Sequence, residues 1–457
     1  MQLPQYFLAD LPDRAAVTPA VVTEACLSLK SNRRQFLRER NTDSMVAAIA
    51  AVAEDWLDPD NPFRRLALAE GPSALGFSRE TLSAGLDAFF RTLTAENLRA
   101  LLTQDLGNNQ RLERLSPAEG ETYPRQLAFA QGPPLVAHIT AGRLPNPVLT
   151  SMVHGLLLRS AQFVKCATGT ALLPRLFAHS LREVEAKLGA CLEIAEWPGA
   201  CHDLTDALIA QADCVTAMGS DETIAAIRRR VPWNTRFLGY GHRVSVGYVA
   251  VEAMSAFTLP KVVAACAQDV IAWDQLGCLS PHAIYVETGN RQTPHRFAEL
   301  LAAELDRLEG ICPRGRLSLD EAASIAARRG FYEIRAAHSG DTALWRSEGS
   351  TAWTVVYEND PRFHPSCLNR FVYVKAVAGV EQALEGLDSL RGQVSTVGLS
   401  ASGLTEQRLA QRFAAWGVTR ICPLGRMQEP PLTWRHDGRP SLADLVTWTD
   451  WEPGGRG

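Results

Sequence analysis

The first 130 residues carry apolar side chains at the spacing typical of α-helices. Segments such as Ser44 to Leu57 and Arg79 to Leu93 show this spacing and contain few strand-like runs. The pattern predicts a mainly helical N-terminal region. Nothing within it indicates a chemical activity.

The pattern changes at Pro133-Pro134, beyond which short apolar runs alternate with helical segments. The alternation predicts a mostly parallel, doubly wound sheet, whose ligand crevice lies at the carboxyl ends of its strands. Lys165 and Gly219 lie at such ends. The predicted strands are Leu135 to Ile139, Gln162 to Lys165, Cys191 to Glu196 and Asp213 to Ala217, and the predicted helices are Val148 to Leu158 and Leu172 to Leu188.

A second series of helices and strands begins near Lys261 and predicts another α/β lobe. Beyond it, Pro430 to Trp451 carries Trp434, Trp448 and Trp451, and fits either an arm that docks on another subunit or a tail that packs its own aromatic side chains. The elements predicted for the lobe are helices at Lys261 to Asp274, Phe297 to Leu308, Leu319 to Arg329 and Glu406 to Trp416, and strands at Ala283 to Val286, Thr351 to Tyr357, Arg370 to Lys375, Val394 to Leu399 and Arg420 to Cys422.

Composition places the chain among ordinary globular proteins. Apolar residues make up 46% of the 457 residues and charged residues 21%, and this length predicts two or three packed lobes. A net charge of −4 gives no electrostatic reason to expect nucleic acid or a membrane surface as a partner. The first ten residues lack the pattern of a signal peptide, and no long apolar run occurs, so we expect a cytoplasmic protein without membrane insertion.

One cysteine stands out among ten. The chain has no Cys-x-x-Cys pair, so neither a zinc site nor a thioredoxin-like motif is predicted, and most cysteines are expected to be reduced core thiols. Cys278, however, lies between the predicted helix ending at Asp274 and the predicted strand beginning at Ala283, where Gly277 would permit a tight turn and expose the thiol. Such a turn presents a nucleophile, and the alternative is a small buried hydrophobic residue.

Gly219 and Ser220 open a predicted helix that continues through Ile224 to Ile227. The free N–H groups at a helix start would favour a phosphate, but an ordinary Ser N-cap is by itself the commoner explanation. The fingerprint Gly-x-Gly-x-x-Gly follows none of the predicted strands, so no standard dinucleotide motif is identified.

Several short motifs follow one another in a characteristic order over residues 130 to 450. They are Ala141-Gly142-Arg143-Leu144-Pro145, the strand ending in Lys165, Gly219-Ser220, the segment Phe237 to Gly247, the Cys278 turn, and the segment Ile421 to Gln428. In this order they resemble the aldehyde dehydrogenase superfamily, and within it the LuxC-type fatty acyl-CoA reductases.

The resemblance implies an α/β fold with two Rossmann-type parallel-sheet lobes and a helical N-terminal region. It divides the chain into a helical region at 1–130 that packs on the cofactor lobe, a dinucleotide-binding domain at 131–250, a catalytic domain at 251–425, and a C-terminal arm at 426–457.

By this resemblance, Cys278 attacks an acyl thioester and holds the acyl group until hydride from a reduced nicotinamide gives the aldehyde. His242 lies where aldehyde-oxidising relatives carry a glutamate base, and no carboxylate occurs between Phe237 and Ala250. Without a base to activate water, the acyl-enzyme is protected from hydrolysis and reduction is favoured. His242 would shuttle a proton, assist Cys278, or merely hydrogen-bond the backbone.

The resemblance also implies a cofactor site formed by Lys165, Thr168, Gly219 and Ser220. Lys165 matches the superfamily lysine that reaches the adenine-side ribose, and Thr168 stands where NAD-preferring relatives often place a carboxylate. The absent carboxylate and the added cation favour NADPH, with NADH as the alternative, although a lysine ending a strand is otherwise simply a solvated charge.

Two positions depart from the superfamily pattern. Arg143 replaces an asparagine that helps bind the oxyanion, and its guanidinium would either donate to that oxyanion or hold a carboxylate or a phosphate of coenzyme A. The strand Phe371 to Lys375 lacks the glutamate that relatives place against the nicotinamide ribose, and Glu358 is the nearest upstream candidate.

The implied substrate is a medium to long fatty acyl thioester of coenzyme A, of an acyl carrier protein or of an acylated partner enzyme. The resemblance further implies a homo-oligomer, an acyl-activating or acyl-transferring protein partner, and no metal. Two other hypotheses stay open. One is a Cys278-dependent acyltransferase or thioesterase that needs no cofactor, and the other is a non-catalytic scaffold subunit of a fatty acid reductase complex.

Overall fold

A computed structural model describes residues 3–12, 15–120, 126–289 and 293–453. The chain divides into two compact units. The first unit comprises Met1–Leu75, Leu86–Gly241 and Pro431–Gly457, and the second unit comprises Gly76–Gly85 and His242–Pro430. The chain therefore passes into the second unit at His242, upstream of the position 250 at which the sequence placed a domain boundary.

The described residues form helices and strands in the following chain order. The α-helices are α1 (Pro19–Phe36), α2 (Thr42–Leu57), α3 (Pro62–Leu75), α4 (Arg79–Phe90), α5 (Ala95–Leu106), α6 (Asn146–Leu157), α7 (Leu172–Val184), α8 (Ala186–Gly189), α9 (His202–Gln211), α10 (Asp221–Arg228), α11 (Leu259–Ile271), α12 (Pro294–Glu309), α13 (Leu319–His338), α14 (Val380–Gly386) and α15 (Gly403–Trp416). The strands are β1 (Leu127–Gln131), β2 (Leu135–Ile139), β3 (Ala161–Cys166), β4 (Leu192–Glu196), β5 (Cys214–Met218), β6 (Arg236–Tyr240), β7 (Val244–Val249), β8 (Pro281–Glu287), β9 (Thr342–Arg346), β10 (Thr354–Glu358), β11 (Phe371–Val377), β12 (Val394–Ser400), β13 (Arg420–Pro423) and β14 (Thr447–Trp451).

Helices α1 to α5 precede the first strand, which confirms the predicted helical N-terminal region. Polar side chains satisfy the free N–H groups at several helix starts. Asn41 accepts from the Ser44 N–H at 2.7 Å, and Thr94 accepts from the Asn97 N–H at 3.2 Å. Helix α5 ends at Gly107, whose φ of 72° is the left-handed conformation that favours glycine.

The sheet of the first unit has five parallel strands in the order β4-β3-β2-β5-β6. Strands β2 and β3 are buried along their whole length, as expected when helices cover both faces. The chain order reverses between β2 and β5, so the ligand crevice of this sheet lies at the carboxyl ends of those two strands. This confirms the predicted doubly wound arrangement.

The first unit also contains a two-stranded ribbon that the sequence did not predict. Strand β1 pairs antiparallel with β14, from Leu127 opposite Trp451 to Gln131 opposite Thr447. The prediction had included residues 127 to 130 in the helical region, and that assignment is wrong. Every residue of β14 is exposed, including Trp448 and Trp451.

The sheet of the second unit has seven strands in the order β13-β12-β7-β8-β11-β10-β9. All neighbours are parallel except β9, an edge strand that runs antiparallel to β10 and was not predicted. Helices α11 and α12 pack on one face through residues such as Val263 and Phe297. Helices α13 to α15 pack on the other face, where Tyr332 and Phe413 are buried. The predicted second α/β lobe is confirmed.

Two predicted helices end earlier than expected. The helix predicted from Leu172 to Leu188 breaks at Glu185, whose φ of −153° is extended, and resumes as the short α8. The helix predicted from Lys261 to Asp274 ends at Ile271 because the backbone turns left-handed two residues later. The second difference shapes the turn that carries Cys278.

Candidate active site

Cys278 lies in a turn at the start of β8. A short 3₁₀ segment, Ala272–Gln275, follows α11, and the turn is closed by the Ser280 N–H, which donates to the Gly277 carbonyl at 2.9 Å. The Cys278 side chain is half-buried. By contrast, burial raises the pKa to about 12 for the thiols of Cys26, Cys166, Cys191 and Cys214. Those four behave as inert core thiols.

The turn belongs to the amino edge of the seven-stranded sheet. Pro281 on β8 is the register partner of Ser245 on β7, and Ser245 is in turn the partner of Thr396 on β12. Cys278 precedes Pro281 by the same three residues by which His242 precedes Ser245. The sheet therefore brings Cys278 and His242 to the same edge.

Three consecutive left-handed residues lead into the turn. The φ angles of Trp273, Asp274 and Gln275 are 52°, 51° and 65°, a conformation that costs residues other than glycine on the order of 1 kcal/mol each. Gly277 is not in this group. A Cβ at Gly277 would lie 2.9 Å from Gln428 Oε1, so glycine there permits the close approach of a flexible side chain, and its φ lies outside the left-handed range.

Tertiary contacts hold the left-handed segment in place. The Trp273 ring packs edge-on against Phe77, with centroids 5.1 Å apart, and lies where a side chain on Gly85 would collide. The Gln275 side-chain amide donates to the carbonyls of Pro281 and Phe371, at 2.8 and 2.9 Å. The turn is therefore fixed by groups distant in sequence.

Asp274 is held by a buried guanidinium and by the backbone. Arg370 Nε donates to Asp274 Oδ1 at 2.9 Å, and the Gly315 N–H donates to Asp274 Oδ2 at 3.0 Å. Arg370 also donates to Glu309 and to the Cys312 carbonyl, each at 2.8 Å. This network compensates the burial of the charges of Arg370 and Asp274.

Two side chains support the turn directly. Ser245 Oγ donates to the Cys278 carbonyl at 2.7 Å and accepts from the Thr396 N–H at 3.2 Å. The Gln428 amide donates to Ser280 Oγ, and its Oε1 lies beside Gly277. Neither contact was predicted, although Gln428 ends one of the motifs that carried the family resemblance.

A buried cation lies near Cys278. Arg420 on β13 pairs in register with Thr396 and is 8% exposed. Burial lowers its pKa, while Cys422, Asp269 and Cys278 raise it through their negative charge. A positive charge near a thiol favours the thiolate, which is the nucleophilic form. Sequence reasoning missed Arg420, which it had treated only as the start of a strand.

His242 has a second histidine for a neighbour. His282 on β8 is 6% exposed, and its Nδ1 accepts from the Ser366 N–H at 3.2 Å. Burial lowers the pKa of His282 to about 4, and the charge of His242 lowers it further. His282 is therefore neutral near pH 7. The sequence offered one signal for it, its place directly after the Cys278 turn.

Lys165 is buried at the end of β3. It is 5% exposed, and its ammonium group lies 5.9 Å from the Trp197 ring centroid. Burial lowers the pKa of Lys165, opposed by Cys166, Cys201 and Glu196. The alternative of a simply solvated charge is wrong.

Thr168 is exposed in the turn that follows β3. Glu196, at the end of β4, accepts from the Gly169 N–H at 2.7 Å and from the Ala171 N–H at 3.2 Å. NADPH was predicted because the sequence has no carboxylate at residue 168. In the structure, Glu196 supplies a carboxylate to this turn from the neighbouring strand.

Gly219 and Ser220 stand at the crevice between β2 and β5. The φ of Gly219 is 156°, and a Cβ there would lie 3.6 Å from the Cβ of Ala141, which follows β2. Ser220 Oγ accepts from the Thr223 N–H at 3.3 Å, so Ser220 caps α10. A phosphate approaching this helix start would meet the backbone of Gly219 and the carboxylates of Asp221 and Glu222.

Arg143 and Glu358 occupy contrasting positions. Arg143 follows β2 in the first unit and is half-buried. Glu358, in the second unit, is fully buried and lies 2.5 Å from Lys375 Nζ and 3.1 Å from Arg335. Because these two cations already compensate its charge inside the sheet, Glu358 is not available to a nicotinamide ribose.

The three tryptophans of the C-terminal segment differ in their surroundings. Trp434 packs against His436, which stacks on Tyr240, with centroids 4.7 Å apart in each pair. Trp448 and Trp451 instead lie on the exposed strand β14, 37% and 50% exposed. Trp434 therefore packs within its own chain, whereas the other two indoles face outward.

In the described part of the chain, His, Cys, Asp and Glu side chains form no group of three or more that would hold a metal ion. None of the helices in that part combines the length and the apolar character that a membrane crossing requires.

Solved structures similar to this chain include proteins named as dehydrogenases of aldehydes. The putative aldehyde dehydrogenase PutA from Anabaena variabilis superposes with a TM-score of 0.68 at 14% identity, covering 97% of this chain and 95% of that one. Glyceraldehyde-3-phosphate dehydrogenase GapN from Methanocaldococcus jannaschii, complexed with NADP, gives 0.68 at 11% identity, covering 96% and 95%. The fold is therefore aldehyde dehydrogenase-like, as the sequence predicted.

The relatives found by sequence are named for a narrower activity than the solved structures. The long-chain acyl-protein thioester reductase of Aliivibrio fischeri is 25% identical over 449 residues, covering 95% of this chain and 87% of the relative. The protein of the same name from Vibrio harveyi is 23% identical over 424 residues, covering 91% and 84%. The family model described as acyl-CoA reductase (LuxC) matches residues 37–448, and the chain belongs to this family.

Proposed function

We propose that this protein reduces a long-chain acyl thioester to the aldehyde through a covalent acyl-enzyme on Cys278, with a reduced nicotinamide as hydride donor. The observation that carries the proposal is the Cys278 turn, where a half-buried thiol is fixed at a sheet edge near a buried cation. The names of the relatives support a thioester as substrate.

The chemistry begins with attack by the Cys278 thiolate on the thioester carbonyl carbon. The bond between that carbon and the carrier sulfur breaks, and the carrier thiol leaves with a proton. Arg420 favours the thiolate before attack. A reduced nicotinamide, when bound, would supply the hydride that converts the acyl-enzyme to a thiohemiacetal. Collapse then breaks the bond between carbon and Cys278 Sγ, and overall one thioester, one hydride and one proton give one aldehyde and one thiol.

The surroundings of Cys278 favour reduction over hydrolysis. The segment that carries His242 has no carboxylate, so it supplies no strong base to activate water. His242 is proposed to pass on the proton that the reaction takes up, next to a His282 that stays neutral near pH 7. Arg143 is proposed to stabilise the oxyanion or to hold a phosphate of coenzyme A.

Lys165, Thr168, Gly219 and Ser220 are proposed to bind the cofactor. They surround the carboxyl ends of β2, β3 and β5, where doubly wound sheets bind nucleotides. Gly219 fits this role because its φ of 156° suits glycine and a backbone without a side chain lets a phosphate approach. Lys165 favours NADPH, which we propose as the cofactor. Glu196 acts in the opposite sense, so NADH is the alternative.

The acyl donor is proposed to be an acyl-protein thioester, because the relatives are named for that activity, with acyl-CoA as the alternative. An acyl-carrying partner protein follows from this donor. Self-association is proposed through the exposed strand β14, where Trp448 and Trp451 offer apolar surface.

The test is aldehyde formation from a long-chain acyl thioester, with NADPH and with NADH, for the wild type and Cys278→Ala. Oxidation of one cofactor per aldehyde, lost in Cys278→Ala, supports the reductase. Release of free fatty acid or acyl transfer without cofactor oxidation would instead identify a thioesterase or acyltransferase. No turnover and no acylation with either donor would leave the scaffold hypothesis.

A further inference from the structure

Gln428 contacts residues on both sides of Cys278. Its side-chain amide donates to Ser280 Oγ, two residues after the thiol. Its Oε1 lies 2.9 Å from the position of a Cβ on Gly277, the residue before the thiol. A single side chain from a segment distant in sequence therefore spans the candidate nucleophile.

The segment 424–428, which follows β13, is itself firmly held. Both carboxylate oxygens of Asp269 on α11 accept from it, from the Gly425 N–H at 2.5 Å and the Met427 N–H at 2.9 Å. Gly425 has a φ of 90° and packs so closely on Ala265 that a Cβ would lie 2.8 Å away. The Met427 side chain is fully buried.

Arg420 ties the same segment to the sheet. Its guanidinium donates to the Met427 carbonyl at 2.6 Å and to the Arg426 carbonyl at 2.9 Å. The base from which the Gln428 side chain extends is thus fixed by a helix and by a strand. Because the backbone at residue 428 is fixed, the Gln428 side chain has few accessible conformations and can hold the residues that it contacts in place.

We propose that Gln428 is a positioning residue that holds the Cys278 turn in the orientation in which the thiol reacts. Ser245 fixes the Cys278 carbonyl from the sheet side, and Gln428 fixes the residues before and after it. The inference deepens the proposed function, since it takes Cys278 as the nucleophile. Without the Gln428 carboxamide, Ser280 loses its donor and Gly277 gains free space, so the turn spends less time in the reactive orientation.

The test compares three substitutions in the full chain. Gln428→Met keeps the length of the side chain and removes the hydrogen bond. Gln428→Glu keeps the length and can accept from the Ser280 hydroxyl, while adding a negative charge beside the turn. Gln382→Met is the matched control, because Gln382 also makes one hydrogen bond in the second unit, accepting from the Ala378 N–H at 2.7 Å.

The readout is the rate at which iodoacetamide alkylates Cys278, resolved by peptide mass across a range of pH, together with the rate of acylation by an acyl thioester. We expect Gln428→Met to slow both about tenfold, the scale of one lost hydrogen bond to a buried group, with the unfolding temperature close to that of the control. We expect Gln428→Glu to react faster than Gln428→Met at high pH, with the midpoint of its pH profile raised because the added charge opposes the thiolate.

Alkylation of Cys278 in Gln428→Met at the wild-type rate would overturn the proposal. Equal slowing of alkylation in Gln428→Met and Gln428→Glu, with no shift in the midpoint of the pH profile, would also overturn it, because a packing defect alone explains that result. Because alkylation needs no substrate, a wild type that is alkylated but accepts no acyl group would count against the proposed function only, and the comparison between variants would still decide the role of Gln428.

Discussion

Arg370 and Asp274 form a buried ion pair that joins two left-handed backbone segments. Residues 273–275 lead into the Cys278 turn, and Leu368, Asn369 and Arg370, with φ angles of 57°, 54° and 65°, lead into β11. Arg370 is 1% exposed and its Nε lies 2.9 Å from Asp274 Oδ1. Strained backbone persists only where surrounding contacts hold it, and here each segment supplies the contact that holds the other.

Replacing Arg370 is expected to destabilise the second unit and to disorder the Cys278 turn. In Arg370→Met the carboxylates of Asp274 and Glu309 lose their cation, and breaking a buried pair costs about 3 to 5 kcal/mol of unfolding free energy. Urea unfolding measures this. The control is Arg391→Met, whose exposed pair with Asp388 contributes about 0 to 1 kcal/mol. Equal stability of the two variants would refute the assigned role of Arg370.

Gly277→Ala is expected to slow alkylation of Cys278 with little loss of stability. The new Cβ would lie 2.9 Å from Gln428 Oε1 and push aside a flexible side chain instead of backbone. Adding Gln428→Ala removes the obstacle, so the double variant should be slowed no more than Gln428→Ala alone. Simple additivity of the two effects would show that Gly277 and Gln428 act independently.

Stability should fall in acid partly because of His282. Burial lowers its folded-state pKa to about 4 from an ordinary value of 6.5, so protons bind more readily to the unfolded chain. The neutral His282 makes its full contribution to the unfolding free energy above pH 6.5. This contribution, about 3 kcal/mol, is lost as pH falls through 4. Burial raises the pKa values of Asp269 and Glu193 to about 7, so these two groups stabilise the folded protein more as pH falls. Variants must therefore be compared at the same pH.

The measurement is the change in unfolding free energy between pH 6.5 and 4.5. His282→Asn keeps an acceptor for the Ser366 N–H and removes the titration, so its change should be smaller than that of the wild type. His202→Asn, at an exposed position, should match the wild type. An identical pH dependence in His282→Asn would show that this histidine is not held neutral.

Glu196→Gln should shift cofactor preference toward NADPH. The carboxylate binds the turn that carries Thr168, where it would repel a 2′-phosphate. Removing this one partly buried charge should raise the ratio of kcat/KM for NADPH over NADH about fivefold. Glu183→Gln, exposed on α7, is the control. An unchanged ratio would show that the 2′-phosphate of NADPH does not bind near Glu196.

Regular periodicity made most of the fold predictable from the sequence. The buried parallel strands β2, β3, β8 and β11 were found because each contains a short run of apolar residues. Strands β1, β6, β7, β9 and β14 were missed. Strands β1 and β14 pair with each other from distant parts of the chain, and β9 is an edge strand with mixed polar residues. Strands β6 and β7 lie in a glycine-containing segment that was treated only as a motif. The helix before Cys278 was extended too far because Trp273 and Asp274 continue the helical spacing.

The site was only partly predictable. Cys278 was predicted as a site residue because a turn between a helix and a strand is a local signal, and its role stays a prediction. The side chains that condition it, Arg370, Gln428, Arg420 and His282, come from elements that meet it only after folding. Glu196 was missed for the same reason, since it reaches the Thr168 turn from the neighbouring strand.

The most direct test of acyl transfer to Cys278 is the intact mass of the protein after incubation with a long-chain acyl thioester, for the wild type and Cys278→Ala. We expect the wild type to gain the mass of one acyl group, on the peptide that contains Cys278, and to lose it when NADPH or NADH is added and aldehyde forms. Cys278→Ala should gain no mass. An acyl group retained by Cys278→Ala, or a wild type that no thioester acylates, would refute Cys278 as the nucleophile.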